Sequence, residues 1–99
     1  MMVVWTKNAK HQLRAIHNYI AQNSPQYAQG VVDRITRKAA LLEQFPKLGS
    51  EVPEYRDEFI RELLEYSYRI IYRLREDKVE ILSIVHGSRA LPRDVPGGA

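Results

Sequence analysis

Two neighbouring segments, Tyr68 to Arg75 and Val79 to His86, alternate side-chain character at period two, with only the polar Glu76-Asp77-Lys78 between them. Period two is the signature of a strand, and so short a polar break allows little besides a hairpin. A turn closing between Arg75 and Lys78 pairs Leu74 with Val79, Tyr72 with Ile81 and Tyr68 with Val85, and Arg73 with Glu80 and Arg69 with Ile84. One face then carries Tyr68, Ile70, Tyr72, Leu74, Val79, Ile81, Ser83 and Val85 and is almost wholly apolar. The other mixes Ile71, Leu82 and Ile84 with Arg69, Arg73, Glu80 and His86, which predicts a partly open, ligand-accessible face. Phe59 to Leu64, also alternating, reads as the preceding antiparallel strand and adds Arg61.

The rest of the chain supplies the cover for the apolar face. Met2 to Trp5 reads as a short strand. Thr6 offers a side-chain oxygen to cap a helix whose apolar stripe is Ala9, Leu13, Ile16 and Ile20. Asn23-Ser24-Pro25 ends it, and Ser24 with Pro25 begins a second helix with the stripe Ala28, Val31, Val32, Ile35, Ala39 and Leu42. Gly30, costly inside a helix, is read as a point of close packing against the first helix. Phe45-Pro46 stops the second helix, and residues 49 to 58 read as a loop. The expected class is α+β, β-α-α-β-β-β, with a helical hairpin packed on one face of a mainly antiparallel four-stranded sheet.

At 99 residues the chain is long enough for one domain, 1–99, with a mobile tail from about residue 92 to residue 99. The absence of cysteine excludes disulfides, zinc-thiolate sites and a thiol nucleophile. No apolar run has the length of a membrane span or a signal-peptide core, so a cytoplasmic protein with no membrane partner is expected. Charge is uneven: residues 1 to 49 hold seven Lys or Arg against two acids, and residues 50 to 99 hold eight against ten. A basic helical half suits an acidic partner, although Lys7, Lys10, Arg14, Arg34, Arg37 and Lys38 also fit a solvated helix surface.

Among candidate site residues, Arg61, Arg69, Arg73 and Arg89 have guanidinium forks suited to phosphate or carboxylate. Arg61 and Arg69 lack an obvious cross-strand acid, whereas Arg73 faces Glu80. His86, at a strand end, is of the residue type that serves as an acid or base near neutral pH, but it stands in no recognisable motif with a carboxylate or nucleophile. His11 and His17 are six apart on a helix and make no metal pair. With no Gly-rich phosphate loop and no acid cluster, neither a metal nor a cofactor is expected.

Arg61-Glu62-Leu63-Leu64, Tyr68-Arg69-Ile70-Ile71-Tyr72-Arg73 and His86-Gly87-Ser88-Arg89 come in an order that resembles the RelE/ParE superfamily of toxins from bacterial type II toxin-antitoxin systems, its ParE branch in particular. Trp5-Thr6 with Ala9, Ser24-Pro25 with Ala28, and Pro46 with Gly49 extend the likeness over nearly the whole chain. The resemblance implies a growth-arresting protein, often serving plasmid stabilisation, that is neutralised by a cognate antitoxin and meets operator DNA only through it. RelE-type members cut ribosome-bound mRNA without metal, and Arg61, Arg69, His86 and Arg89 would be the site residues of such an endoribonuclease. Where those nucleases carry lysines on the preceding strand, however, this chain has Ile60 and Glu62, and no tyrosine follows Arg89. ParE-type members poison DNA gyrase without chemistry of their own, in which case Arg61, Arg69, Arg73, His86 and Arg89 bind target or phosphate. The gyrase target is the expectation, the ribosome with its mRNA the alternative, and a degenerate toxin retaining only antitoxin binding a further one.

Overall fold

The computed structural model describes residues 1–93 and 95. Strand β1 (Met2–Trp5) leads into helix α1 (Lys7–Ala21) and helix α2 (Pro25–Ala40), which closes in a single 3-10 turn, Leu41–Glu43. Strands β2 (Ser50–Glu51), β3 (Ile60–Glu65), β4 (Tyr68–Leu74) and β5 (Lys78–His86) follow. The sheet order is β1-β5-β4-β3-β2, antiparallel except for the parallel β1–β5 pair. The α+β class and the helical hairpin on one face are as predicted, but the sheet has five strands rather than four. The additional β2 is two residues long, too short to show any period in the stretch read as a loop.

Thr6 and Ser24 cap the helices as expected, accepting from the amides of Ala9 at 3.2 Å and Tyr27 at 3.1 Å. Thr6 does a second job. β1 ends opposite Ile81, leaving the outer edge of β5 without a strand beyond that point, and side chains from the start of α1 take over. The Thr6 hydroxyl reaches the carbonyls of Ile81 (2.8 Å) and Leu82 (3.2 Å), and Asn8 Nδ2 donates to Leu82 O at 2.9 Å. One turn on, Gln12 Oε1 accepts from the Ile84 amide at 2.8 Å. These polar side chains do what a longer β1 would have done for backbone groups in need of partners.

Those contacts surround an irregularity that the alternation did not reveal. Leu74, Arg73 and Tyr72 pair with Val79, Glu80 and Ile81 as predicted, but Ile71 pairs with Ser83 and leaves Leu82 as the extra residue of a bulge. Beyond it every pairing is one residue later than predicted: Ile70 with Ile84, Arg69 with Val85 and Tyr68 with His86. The faces of β5 therefore exchange. Ile84 joins Val79, Ile81, Ile70, Tyr72 and Leu63 in the core under the helices, and Val85 joins Leu82 on the opposite face.

That opposite face is not open. Val52, Ile60, Ile71, Leu82 and Val85 form a second apolar cluster, covered by Tyr55, Leu91 and Val95. The predicted mobile tail lies partly outside the described residues, at 94 and 96–99.

Three backbone positions carry distinct costs. Gly49 is required: an added Cβ would collide with the Glu62 carbonyl and lie 2.8 Å from the Tyr72 hydroxyl, which accepts from Gly49 N–H and donates to Pro46 O, both at 2.9 Å. Gly30 is not, because an added Cβ would meet nothing within 4 Å, so it does not serve close packing against α1 as predicted. Tyr66, in the β3–β4 turn, has φ 53°, a left-handed conformation that costs a side-chain-bearing residue about 1 kcal/mol or more. Arg34 stacks on its ring at 4.2 Å, but an exposed cation–π contact contributes only about 0.5–1 kcal/mol, which does no better than offset the strain.

Gly30→Ala is expected to stabilise the fold by about 1 kcal/mol through helix propensity, and Gly49→Ala to destabilise it by about 2–3 kcal/mol through overpacking. Urea denaturation of both variants checks the contrast, and destabilisation by Gly30→Ala would mean that the position is crowded after all.

Candidate functional site

Arg69 sits on β4 between Leu64 of β3 and Val85 of β5, and only 8% of the residue is exposed. Its guanidinium is fully engaged on the face away from the helices. Nε donates to Glu62 Oε1 at 2.6 Å, while Nη1 and Nη2 donate to the two oxygens of Glu54 at 2.9 Å each. Glu62 lies diagonally across the β3–β4 ladder, and Glu54 comes from the loop that closes over this face. The bidentate geometry is that which a phosphate or substrate carboxylate would adopt. The hydrogen bonds from Arg69 hold the Glu54 carboxyl at about 2, well below its usual 4.5, and Glu54 in turn pushes the Arg69 guanidinium further up. The expectation of a partnerless Arg69 is thus corrected, since one of its acids was two positions from the facing residue and the other in a loop.

Arg61 is on the other face. Its Nη1 donates to Gly49 O at 2.8 Å, beside the Tyr72 hydroxyl that holds Gly49 N–H. Together Arg61 and Tyr72 pin the chain where it enters β2, a structural task for a residue predicted to be without a partner. Arg73 stands opposite Glu80 as predicted, and Glu80 accepts from Arg75 Nε at 2.7 Å. The bulge sends His86 to the helix side, where its ring meets Tyr68 edge-on at 5.8 Å and 81°. His86 Nδ1 is 2.7 Å from Ser88 Oγ and accepts from Ser88 N–H at 3.3 Å. That assignment leaves the neutral ring with its proton on Nε2.

His86 and Arg89 are brought together by the turn in which Arg89 N–H bonds to His86 O at 3.0 Å. With Gln12, Ile16, Tyr19 and Tyr68 they line a cleft of about 310 Å³. Tyr68's phenol is pushed up, chiefly by burial and then by the nearby Tyr27 and Tyr19. The five candidate residues therefore fall into separate places: His86 and Arg89 in this cleft, Arg61 at the β2 entry, and Arg69 and Arg73 on the far face. Among the described residues no three His, Asp or Glu side chains gather as a metal site.

A further groove runs along the helices, lined by Trp5, Lys10, Leu13, Arg14, His17 and Val32, with a volume of about 390 Å³. Its apolar floor and basic rim come from the half of the chain in which sequence charge is most positive. No helix among the described residues is long and apolar enough to cross a membrane.

Comparison with known proteins agrees with the sequence resemblance. A family described as the ParE toxin of the type II toxin-antitoxin system parDE matches residues 3–91. Toxin RelE2 of Caulobacter vibrioides is 35% identical over 88 residues, which span 88% of this chain and 96% of that protein. Putative toxin Y4kP of Sinorhizobium fredii is 34% identical over 91 residues, 90% of this chain and 91% of that one. Among solved structures, the chromosomal ParDE toxin-antitoxin system of P. aeruginosa superposes with a TM-score of 0.73 at 27% identity, covering 87% of this chain and 95% of that chain.

The depressed Glu54 carboxyl fixes the sign of an acid effect. Its folded-state value is below the unfolded one, so its stabilising contribution is complete above about 4.5 and is lost as pH falls towards about 2. Glu54→Gln should flatten that part of the stability profile, as read by thermal unfolding across pH 2 to 6. Arg69→Ala strands Glu62, whose side chain is only 13% exposed, and should cost about 3 kcal/mol; a stability within experimental error of the parent would refute the clamp.

Proposed function

The chain belongs to the ParE family of toxins from type II toxin-antitoxin systems, and on that premise we propose that it arrests growth by holding DNA gyrase in its DNA-cleaved state, with no bond-making chemistry of its own. The observation that carries this reading is the filled guanidinium of Arg69. A ribonuclease of the metal-independent kind needs cations free to take charge from the scissile phosphate. Here the central arginine is neutralised by Glu54 and Glu62, and its facing strand offers Ile60 and Glu62 rather than lysines. Two carboxylates beside it repel a phosphate rather than receive one. In this reading Arg61, Arg69 and Arg73 maintain the sheet, and the protein acts through its surface in the cytoplasm, without metal or cofactor.

A cognate antitoxin is its neutralising partner, and the groove of Trp5, Leu13 and Val32 rimmed by Lys10, Arg14 and His17 fits an amphipathic helix with an acidic edge. Contact with operator DNA then goes through the antitoxin. One observation favours a second reading, mRNA cleavage at the ribosome: His86, Arg89, Tyr19 and Tyr68 line one cleft.

Purified gyrase with supercoiled plasmid and increasing amounts of this protein separates the readings. Linear DNA released after denaturing the enzyme, together with loss of supercoiling, is the expected outcome, and the cognate antitoxin should suppress both. No effect on gyrase, with mRNA cut in a ribosome-dependent assay and cleavage lost in His86→Ala or Arg89→Ala, would replace this reading with the second. No effect in either assay, with antitoxin binding intact, would leave a toxin that has kept only that binding.

A further inference from the structure

The bulge at Leu82 delivers His86 to the helix side of the sheet, and bulges are frequent where a strand must re-aim a side chain beside a binding site. What His86 meets there is the cleft of about 310 Å³. Gln12, Ile16 and Tyr19, spaced by single turns of α1, line it from the helix; Tyr68, His86 and Arg89 line it from the sheet and the turn that follows. Its volume is at the small end of ligand pockets.

The polar groups of this cleft are left as donors. Gln12 Oε1 is taken by the Ile84 amide at 2.8 Å, which fixes the side-chain amide and leaves Nε2 as its open end. Ser88 holds His86 Nδ1, with Oγ at 2.7 Å and N–H at 3.3 Å, so the neutral ring offers its proton at Nε2. Arg89 is exposed, and among the described residues its guanidinium has no hydrogen-bond or ion-pair partner. No carboxylate lines the cleft, whereas the fork of Arg69 is filled by two. Beside these donors are two aromatic rings, Tyr68 half-buried and Tyr19 74% exposed.

We propose that this cleft binds one nucleotide of a single-stranded nucleic acid, its base against the tyrosines and its phosphate on Arg89, without breaking a bond in it. A phosphodiester brings acceptors alone, which suits a donor lining, and every base has a flat face that stacks on an aromatic ring. An extended peptide brings as many N–H as C=O groups and finds few acceptors here. A duplex keeps its bases stacked on one another, so the strand must be open. DNA and RNA share this chemistry. The proposal rests on the gyrase reading for the source of the strand, which is then the DNA opened in the cleaved complex.

Fluorescein-labelled thymidine and uridine octamers, titrated with the purified protein at low salt and read by anisotropy, test it. The parent is expected to bind, and Tyr19→Ala and Arg89→Ala, both at exposed positions that the fold does not need, should each weaken binding by about tenfold. An abasic octamer should bind about tenfold more weakly than the thymidine one, and the Gln12 side-chain amide signal should shift in nitrogen–proton NMR spectra when the thymidine octamer is added. A preference for the uridine octamer keeps the cleft and assigns its strand to RNA. No binding by the folded parent overturns the proposal, as does binding unchanged in both variants, which would place the strand on the basic helix surface. Equal affinity for the abasic octamer overturns it too, and so does a Gln12 shift produced by an acidic octapeptide but not by the oligonucleotides. Oligonucleotide binding as expected while gyrase is unaffected removes the gyrase reading and leaves the cleft standing. Gyrase poisoning undiminished in a variant that has lost the thymidine octamer keeps that reading and overturns the proposal.

Discussion

The extra residue at Leu82 decides where everything after it in β5 points. A strand presents alternate residues to alternate faces, so one unpaired residue exchanges the faces for the remainder of the strand. It sends Val85 into the second apolar cluster, Ile84 into the core under the helices and His86 to the helix side beside Tyr68. The bulge is secured from outside the hairpin. Thr6 and Asn8 take the Leu82 carbonyl and Gln12 takes the Ile84 amide, so the start of α1 is both a helix terminus and the missing continuation of β1. Loss of that polar seam would free the register of β5, and with it the separation of His86 from Arg69.

That separation bears on chemistry. Had β5 kept its simple alternation, His86 would share a face with Arg69 and Arg73, and the sheet would offer an imidazole among guanidiniums. Instead the far face is closed by an apolar cluster and an Arg69 whose acceptors are internal. Glu54, itself exposed, occupies the fork as an incoming phosphate would, and the cluster is costly to break at Arg69 because that leaves the largely buried Glu62 carboxylate unpaired. The same side chain that invites a catalytic reading in the sequence is, in the folded chain, what ties the 52–59 segment to the sheet.

Local patterning made much of the fold legible. Thr6 and Ser24 as caps, the helical stripes and the first three rungs of the β4–β5 hairpin all follow from short-range spacing, which is where sequence periodicity is strongest. The failures are non-local. The bulge depends on Asn8 and Gln12, more than seventy residues from the groups they bind. The Arg69 clamp depends on Glu54, in a loop with no periodicity to place it. β2 is too short to announce itself, and the role assigned to Gly30 failed because composition shows that a glycine is present but not what stands above it. The candidate residues, grouped in the sequence by strand alternation, lie apart in the fold: His86 and Arg89 line one cleft, Arg61 holds the entry to β2 and Arg69 is clamped on the far face.

What remains after the structural assignments is a short set of residues that the fold does not need. Arg61, Arg69, Gly49 and Tyr72 each have an internal partner that accounts for them. Gly30 has none, and the Arg34 stack at best offsets the left-handed strain of Tyr66. A toxin that works by binding rather than by chemistry must keep its determinants on the outside, where nothing within the chain rewards them.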